Sequence, residues 1–424
     1  MDWFGRAKIT FTHHNPPLSL RQKDGTETDL LKVCEKSTPP CQLNPLLFNG
    51  HLQSMWTVTA QHGPPIYYKR KIFNADHKTY TGTFAVDFAV PPHQQTDPAL
   101  PPRTAYFTDD EFGGIGSSDN RPMLIVLHGL SGGSHEIYLR HAIAPLLLGD
   151  GGWEACVVNS RGCANSDITS GVLFNARATW DVRQVVKWAR ETFPSRPLFG
   201  LGFSLGANII TNYIGEEGSD CVLKGAVVVG NPFNLEVSSK ALQRTFIGKQ
   251  IYQRFMGMNM KKLVDRHKQS FLKYTQLDMS RIQNITYLYE FDREVQTKTW
   301  GYPTEDAYYR DASSADSLLA IRIPFFAITA ADDPIAVQEA VPYEEFKQNP
   351  YTVCCTTSLG GHLSYFELGG GRWHARPVSN FFKAMAANID LESLDPKRDG
   401  SVQKKQDGPV NFNPMRRKMQ ICLD

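Results

Sequence analysis

The chain has 424 residues, 41% of them apolar and 21% charged, which excludes a wholly disordered, collagenous or coiled-coil protein. Its 45 basic and 43 acidic side chains leave a formal charge of +2, so no nucleic-acid partner is expected, because such binding rests on neutralising many phosphates. Eight cysteines show no metal-type spacing and are too few to staple a chain of this length, which points to a reducing, intracellular compartment.

Met1 to Lys23 lack the apolar stretch of a secretion signal, and no run reaches the roughly 18 apolar residues of a spanning helix. The expected location is cytoplasmic or peripherally membrane-associated, so contact with a membrane or lipid-droplet surface is expected to be peripheral. Residues 1–60 read as an irregular leader. Ile66–Phe73 and Thr79–Val90 then alternate as strands do and predict an antiparallel edge, followed over 91–122 by a Pro-, Gly- and Ser-rich surface loop.

From Met123 onward, short apolar runs alternate with helical segments, the pattern of a mostly parallel sheet covered by helices on both faces. The strand candidates are Met123–Leu127, Ala155–Asn159, Leu198–Phe203, Leu223–Val229, Phe325–Thr329 and Tyr351–Thr357. Val182, Val185, Val186 and Ala189 repeat at helical spacing within Arg177–Phe193, which Pro194 closes. The strand rhythm lapses between Pro232 and Phe325. Core segments 61–232 and 324–387 therefore flank a helical cap insertion over 233–323, and a polar tail occupies 388–424.

Gly202-Phe203-Ser204-Leu205-Gly206 follows one of these apolar runs and precedes a helical segment. A strand that turns sharply into a helix needs small residues beside the serine, and the turn presents the hydroxyl at the edge of the sheet. Ser204 is thus the candidate nucleophile; the competing reading is a serine that merely caps a helix. A serine hydroxyl needs a base oriented by a carboxylate, and in such sites the chain order is serine, acid, histidine.

Only His267, His362 and His374 follow Ser204. His362 is preferred because Leu359-Gly360-Gly361 links it directly to a strand candidate, whereas His267 lies in the insertion and His374 sits beside Arg372 and Trp373. Asp332 and Asp333 compete as the acid after Phe325–Thr329. Asp333 is preferred as the one preceding the Pro-Ile turn, leaving Asp332 to form an Asx turn in its loop. The oxyanion donors expected are the backbone N–H groups of Leu205 and of Leu130, the latter in the glycine-rich run His128–His135. Neither His128 nor His135 is assigned chemistry.

Asn44–Trp56, His128-Gly129-Leu130, Asn159–Cys163, Gly202–Gly206, Asp332-Asp333-Pro334 and Gly360-Gly361-His362, in that order, resemble one α/β-hydrolase family. It includes fungal ethanol acyltransferase/esterases, bacterial YheT-type esterases and animal ABHD1/3-type phospholipases. The resemblance spans about Asn44 to Lys383. It implies an α/β-hydrolase fold and an acyl-serine enzyme with Ser204, Asp333 and His362 as its triad. Tyr308–Ser314 also looks like a family block.

The implied activity is transfer of a short or medium acyl group to an alcohol, or hydrolysis of carboxylic esters, with a monoacylglycerol lipase or phospholipase as the alternative. No cofactor or metal is expected; acyl-CoA would enter as a co-substrate, and basic residues of the insertion such as Lys249 and Lys262 would offer positive charge to its phosphates or to anionic lipid. A catalytically silent binding module, the reading from another class, would ordinarily lack a triad member, and all three are present.

Overall fold

The computed structural model describes residues 5–59, 62–95, 97–149 and 152–394. A ten-stranded sheet runs through the molecule, built in chain order from β1 (Ile9–His13), β2 (Tyr67–Asn74), β3 (Thr83–Val90), β4 (Thr104–Tyr106), β5 (Met123–Leu127), β6 (Glu154–Val158), β7 (Leu198–Phe203), β8 (Ala226–Val229), β9 (Phe325–Ala330) and β10 (Thr352–Thr357). Across the sheet the order is β1-β10-β9-β8-β7-β5-β6-β3-β2-β4. The six strands from β10 to β6 are mutually parallel, while β1 and β3 join them antiparallel.

The helices used below are α1 (Leu30–Ser37), α2 (Gly50–Thr59), α3 (Ile137–Leu147), α4 (Thr179–Thr192), α5 (Leu205–Glu217), α6 (Leu235–Arg244), α7 (Arg254–Arg266) and α8 (Ala375–Asn388). The apolar runs form strands rather than helices because their alternate side chains fill two separate layers. Phe199, Leu201 and Phe203 of β7 join Leu139 of α3 and Phe381 and Phe382 of α8 on one face. Leu198 points the other way, to a layer holding Val182, Val185 and Val186 of α4 and Ile210 of α5. The helical spacing read in the sequence thus corresponds to the buried stripe of α4, which ends one residue before Phe193.

Three expectations are corrected. The leader is not irregular: Ile9–His13 pairs with β10, and α1 and α2 are regular helices. Two halves of the leader therefore brace the same end of the sheet that carries His362. The proline-rich loop contains β4, which pairs parallel with β2, and a short helix at Asp109–Gly113 closed by a Thr108–Glu111 capping box. Accordingly, β2 and β3 are antiparallel as expected, but β4 rather than either of them forms the sheet edge.

The stretch between β8 and β9 is wholly helical among its assigned elements. It begins with α6, passes through a wide-turned π-helical segment at Gly248–Gln253 into α7, and continues in shorter helices to Leu318. Met260 and Val264 of α7 pack with Phe271, Ile282 and Phe291 into a small core of its own, which closes on Cys163, Ile168 and Phe174 of the sheet domain. Tyr309 donates to Asp292 (2.6 Å), and the Ala176 N–H donates to the Tyr308 hydroxyl (3.0 Å), so the tyrosine pair read in the sequence fastens the helical layer. Residues from 395 onward, most of the polar tail, lie outside the described residues.

Candidate active site

Ser204 stands between β7 and α5 with φ 50° and ψ −117°, a left-handed conformation that costs a non-glycine residue on the order of 1–3 kcal/mol. The surroundings hold it there. Its N–H donates to Val229 O on β8 (3.0 Å), and its carbonyl accepts from Asn208 (3.1 Å) in the first turn of α5. The flanking glycines are required by close approach. A Cβ on Gly202 would meet Ala207 Cα at 2.6 Å, and one on Gly206 would meet the carbonyl oxygens of Leu127 and His128 at 2.5 Å. The turn therefore lifts one hydroxyl to the C-terminal edge of the parallel strands, where Ser204 remains 9% exposed.

His362 reaches this hydroxyl from the turn after β10, with Nε2 2.8 Å from Ser204 Oγ. Its Nδ1 lies 2.9 Å from Asp333 Oδ2 and 3.2 Å from Oδ1. Asp333 follows β9, is 3% exposed, and accepts from the N–H groups of Ile335 (2.8 Å) and Ala336 (2.9 Å). The Asx-type turn expected of Asp332 is thus made by Asp333.

Asp332 has a different task. Its Oδ1 accepts from the Gly361 N–H (3.0 Å), pinning the turn that delivers His362, and burial pushes its carboxyl up to about 6. The other histidines do not join the constellation. His267 bonds the Gly162 carbonyl (2.8 Å), and burial depresses its imidazole. His374 is fully buried against Phe203 and Tyr365, with burial pushing it down to about 3. His128 accepts from the Ser160 N–H at Nε2 (3.0 Å), bonds its own loop at Gly129 O (2.6 Å), and is pushed down to about 4 by burial. His135 lines the cavity described next, and burial holds it too below its ordinary range.

The glycine-rich loop after β5 lies beside the serine: a Cβ on Gly129 would be 3.4 Å from Ser204 Cβ. The Gly129 N–H is occupied by the Tyr138 hydroxyl (2.8 Å). Leu130 and Leu205, the two expected oxyanion donors, pack their side chains against the same small core, and Leu130 lines the cavity that Ser204 also lines. Leu205 is the first residue of α5, where an N–H has no carbonyl in a preceding turn to bond.

Several residues to which the sequence assigned no role support the site. Ser54 of α2 accepts from the His362 N–H (2.9 Å), and Gln53 accepts from the Phe366 N–H (2.8 Å), so the Asn44–Trp56 block grips both sides of the histidine turn. Arg372 is 2% exposed and donates through one nitrogen to the carbonyls of Leu363 (2.6 Å) and Ser364 (3.2 Å). Asn159 and Ser134 both bond Asp87, itself paired with buried Arg70, while Arg161 forks onto Asp181. The 159–163 block is therefore scaffolding whose last residues, Gly162 and Cys163, reach the cavity wall.

Ser204 and His362 sit in the wall of a cavity of about 600 Å³. Met55, Val58, Leu130, Ile251, Phe255, Met256, Leu263 and Leu363 give it a largely apolar lining, with Glu136, Asn165, Lys262 and Arg266 also contributing. Leader and cap meet across it, with His51 stacked on Tyr252 at 5.7 Å.

Residues 122–367 match the family model described as the alpha/beta hydrolase fold. The chain belongs to the α/β-hydrolase fold family. A relative from Saccharomyces cerevisiae named monoacylglycerol lipase is 36% identical over 83% of this chain and 82% of its own length. Another, medium-chain fatty acid ethyl ester synthase/esterase 2 of the same yeast, is 30% identical over 87% of this chain and 92% of its own. The human protein named phospholipase ABHD3 is 29% identical over 62% of this chain and 63% of its own. This α/β-hydrolase thus falls among the relatives that its sequence blocks indicate, in a group whose members carry ester-hydrolase and ester-synthase names.

Proposed function

We propose that Ser204, His362 and Asp333 are the nucleophile, base and orienting acid of an acyl-serine enzyme that hydrolyses carboxylic esters and transfers acyl groups to alcohols. The observation that carries this reading is the unbroken Asp333–His362–Ser204 chain, at 2.9 and 2.8 Å, opening into a largely apolar cavity. His362 Nε2 takes the Ser204 hydroxyl proton as Oγ attacks the ester carbonyl. The N–H groups of Leu205 and Leu130 receive the negative oxygen, and each such donor is typically worth about 3–4 kcal/mol in the transition state. As the tetrahedral intermediate collapses, the imidazolium returns its proton to the departing alkoxide or thiolate and leaves acyl-Ser204. Asp333, fixed by two backbone donors, holds the imidazole ring in register throughout.

Water then completes hydrolysis, or an alcohol completes transfer, with His362 acting again as base and acid. Nothing in this sequence of steps calls for a metal or cofactor. The apolar lining suits a short or medium acyl chain, and the yeast relatives' names make a monoacylglycerol or a medium-chain ethyl ester the first substrates to offer. Acyl-CoA is the second donor to consider, on a specific observation: Lys262 and Arg266, one helical turn apart on α7, border the cavity and could meet an anionic leaving group.

The test is to incubate wild type and Ser204→Ala with decanoylglycerol, ethyl octanoate or octanoyl-CoA, with and without ethanol, and to quantify ester, free acid and CoA by mass spectrometry. Ser204-dependent acid from the two esters supports the hydrolase, and Ser204-dependent ethyl ester from octanoyl-CoA supports transfer. Equal turnover by Ser204→Ala would overturn the assignment.

A further inference from the structure

The two chain segments that meet at the cavity, around 48–58 and 246–266, carry exposed apolar side chains. On the leader side, Phe48 is 66% exposed and Trp56 49%; on the cap side, Phe246 is 79% exposed and Met258 43%. These residues occur on the segments that also line the cavity, since Met55 and Val58 neighbour Trp56 on α2, and Ile251 and Phe255 follow Phe246. The two segments touch where the His51 ring stacks on Tyr252. The exposed apolar side chains are therefore carried by the two chain segments that meet at the cavity.

Charge on the same segments is one-sided. Between Glu236 and Asp265 the chain carries six Lys or Arg and no acidic residue, and between Glu35 and Asp76 no acidic residue occurs. Among the described residues, Arg244, Lys249, Arg254, Lys261 and Lys262 form no ion pair with a carboxylate, whereas Lys240 pairs with Glu236 and Asp306. Aromatic and aliphatic groups interleaved with unpaired cations match a surface that is apolar a few ångströms down and negative on top.

We propose that the rim formed by α2, the Phe246–Gln253 segment and α7 docks on an anionic phospholipid surface, so that acyl substrates enter the cavity from the lipid without crossing water. This rests on the proposed reading that the cavity takes acyl lipids. Phe48, Trp56, Phe246 and Met258 enter the interfacial region, while Arg254 and Lys261 stay at headgroup level. Binding is therefore separable from the chemistry at Ser204.

The test is flotation of the full chain with vesicles of phosphatidylcholine alone or with 30% phosphatidylserine. It is run for wild type, Ser204→Ala, a Trp56→Gln/Phe246→Gln double variant and an Arg254→Glu/Lys261→Glu double variant. Hydrolysis of a water-soluble butyrate ester is followed in parallel as a check on folding; none of the four rim residues changed lines the cavity. The proposal expects wild type and Ser204→Ala to float equally with the anionic vesicles. The aromatic pair should lower partitioning about tenfold or more, and the charge pair should remove the preference for phosphatidylserine, both with butyrate hydrolysis retained.

Wild type that stays with the soluble fraction, or double variants that float like wild type, would overturn the proposal. So would a concentration-dependent dimer in sedimentation that the aromatic pair abolishes without changing flotation, because the rim would then be covered by a second copy. Loss of turnover in Ser204→Ala with flotation intact tests the chemistry alone, so the two readings fail separately.

Discussion

The sheet edge and the cavity rim solve opposite problems. At the edge, Ser204, Asp333 and His362 are fixed by backbone hydrogen bonds from β8, from the Asp333 turn and from Ser54, and Asp333 is almost fully buried. At the rim, Trp56 and Phe246 stand in solvent, and the lining residues Met55, Val58, Ile251 and Phe255 beside them come from two segments separated by about two hundred positions. An edge held by hydrogen bonds suits chemistry that tolerates little displacement, whereas an apolar rim suits substrates that differ in chain length. Changes at the edge should therefore strike kcat, and changes at the rim KM and chain-length preference.

The sharpest separation is at the nucleophile. Ser204→Ala should lower kcat by about 10⁴-fold or more with unchanged thermal unfolding, as removal of a triad serine does. Steady-state kinetics on a soluble ester checks this, and a loss confined to KM would break the comparison.

The two aspartates come next. Asp333→Asn should cost about 10³–10⁴ in kcat, because the wrong imidazole tautomer would be favoured, while Asp332→Asn keeps an acceptor for the Gly361 N–H and should cost less than about tenfold. Equal losses would mean that both carboxylates serve His362. Asp332→Asn also carries a pH signature. Its folded value, about 6, lies above the ordinary 3.8, so the carboxyl's contribution to stability is fully present below about 3.8 and is lost as pH rises through about 6. Asp332→Asn should consequently be more stable than wild type at pH 8, by on the order of 1–3 kcal/mol, with the gain vanishing near pH 4. Denaturant unfolding at the two pH values measures it.

At the rim, Phe255→Ala should raise KM for a decanoyl ester by about 5–50-fold, the usual worth of a few lost apolar contacts, and leave butyrate hydrolysis near the wild-type rate. An equal fall in kcat for both esters would place Phe255 with the edge instead.

The smallest effect is expected at His374, whose burial suggests packing alone. His374→Phe should keep activity within about threefold, since it removes no contact to the reacting groups. The folded imidazole is depressed to about 3, so its contribution to stability is present above about 6.5 and is lost as pH falls. His374→Phe should therefore flatten the decline in melting temperature between pH 7 and 5, and an unchanged slope would exclude His374 as its source.

Legibility in the sequence follows burial. The strands β5 to β10 were readable because both faces are covered, which makes their residues continuously apolar. By contrast, β1 alternates as Ile-Thr-Phe-Thr-His at half-buried positions, and β4 has only three residues, so neither rises above its irregular surroundings. Ser204, Asp333 and His362 could be named because each follows a readable strand in the required order. Ser54 stood inside the Asn44–Trp56 block, but its role could not be read, because its hydroxyl meets the His362 N–H across 308 residues of chain. The Asx turn was assigned to the wrong neighbour for a related reason: which of two adjacent carboxylates faces its own turn depends on the strand end, and the residue types are identical.

Every role proposed for His362 and Asp333 depends on Ser204 as the nucleophile. The most direct test of that assignment is intact-mass analysis of folded wild type and Ser204→Ala after exposure to a fluorophosphonate. One adduct is expected on wild type, mapped to the peptide containing Ser204, and none on Ser204→Ala. Folded wild type that remains unmodified, or an adduct on another residue that persists in Ser204→Ala, would contradict it.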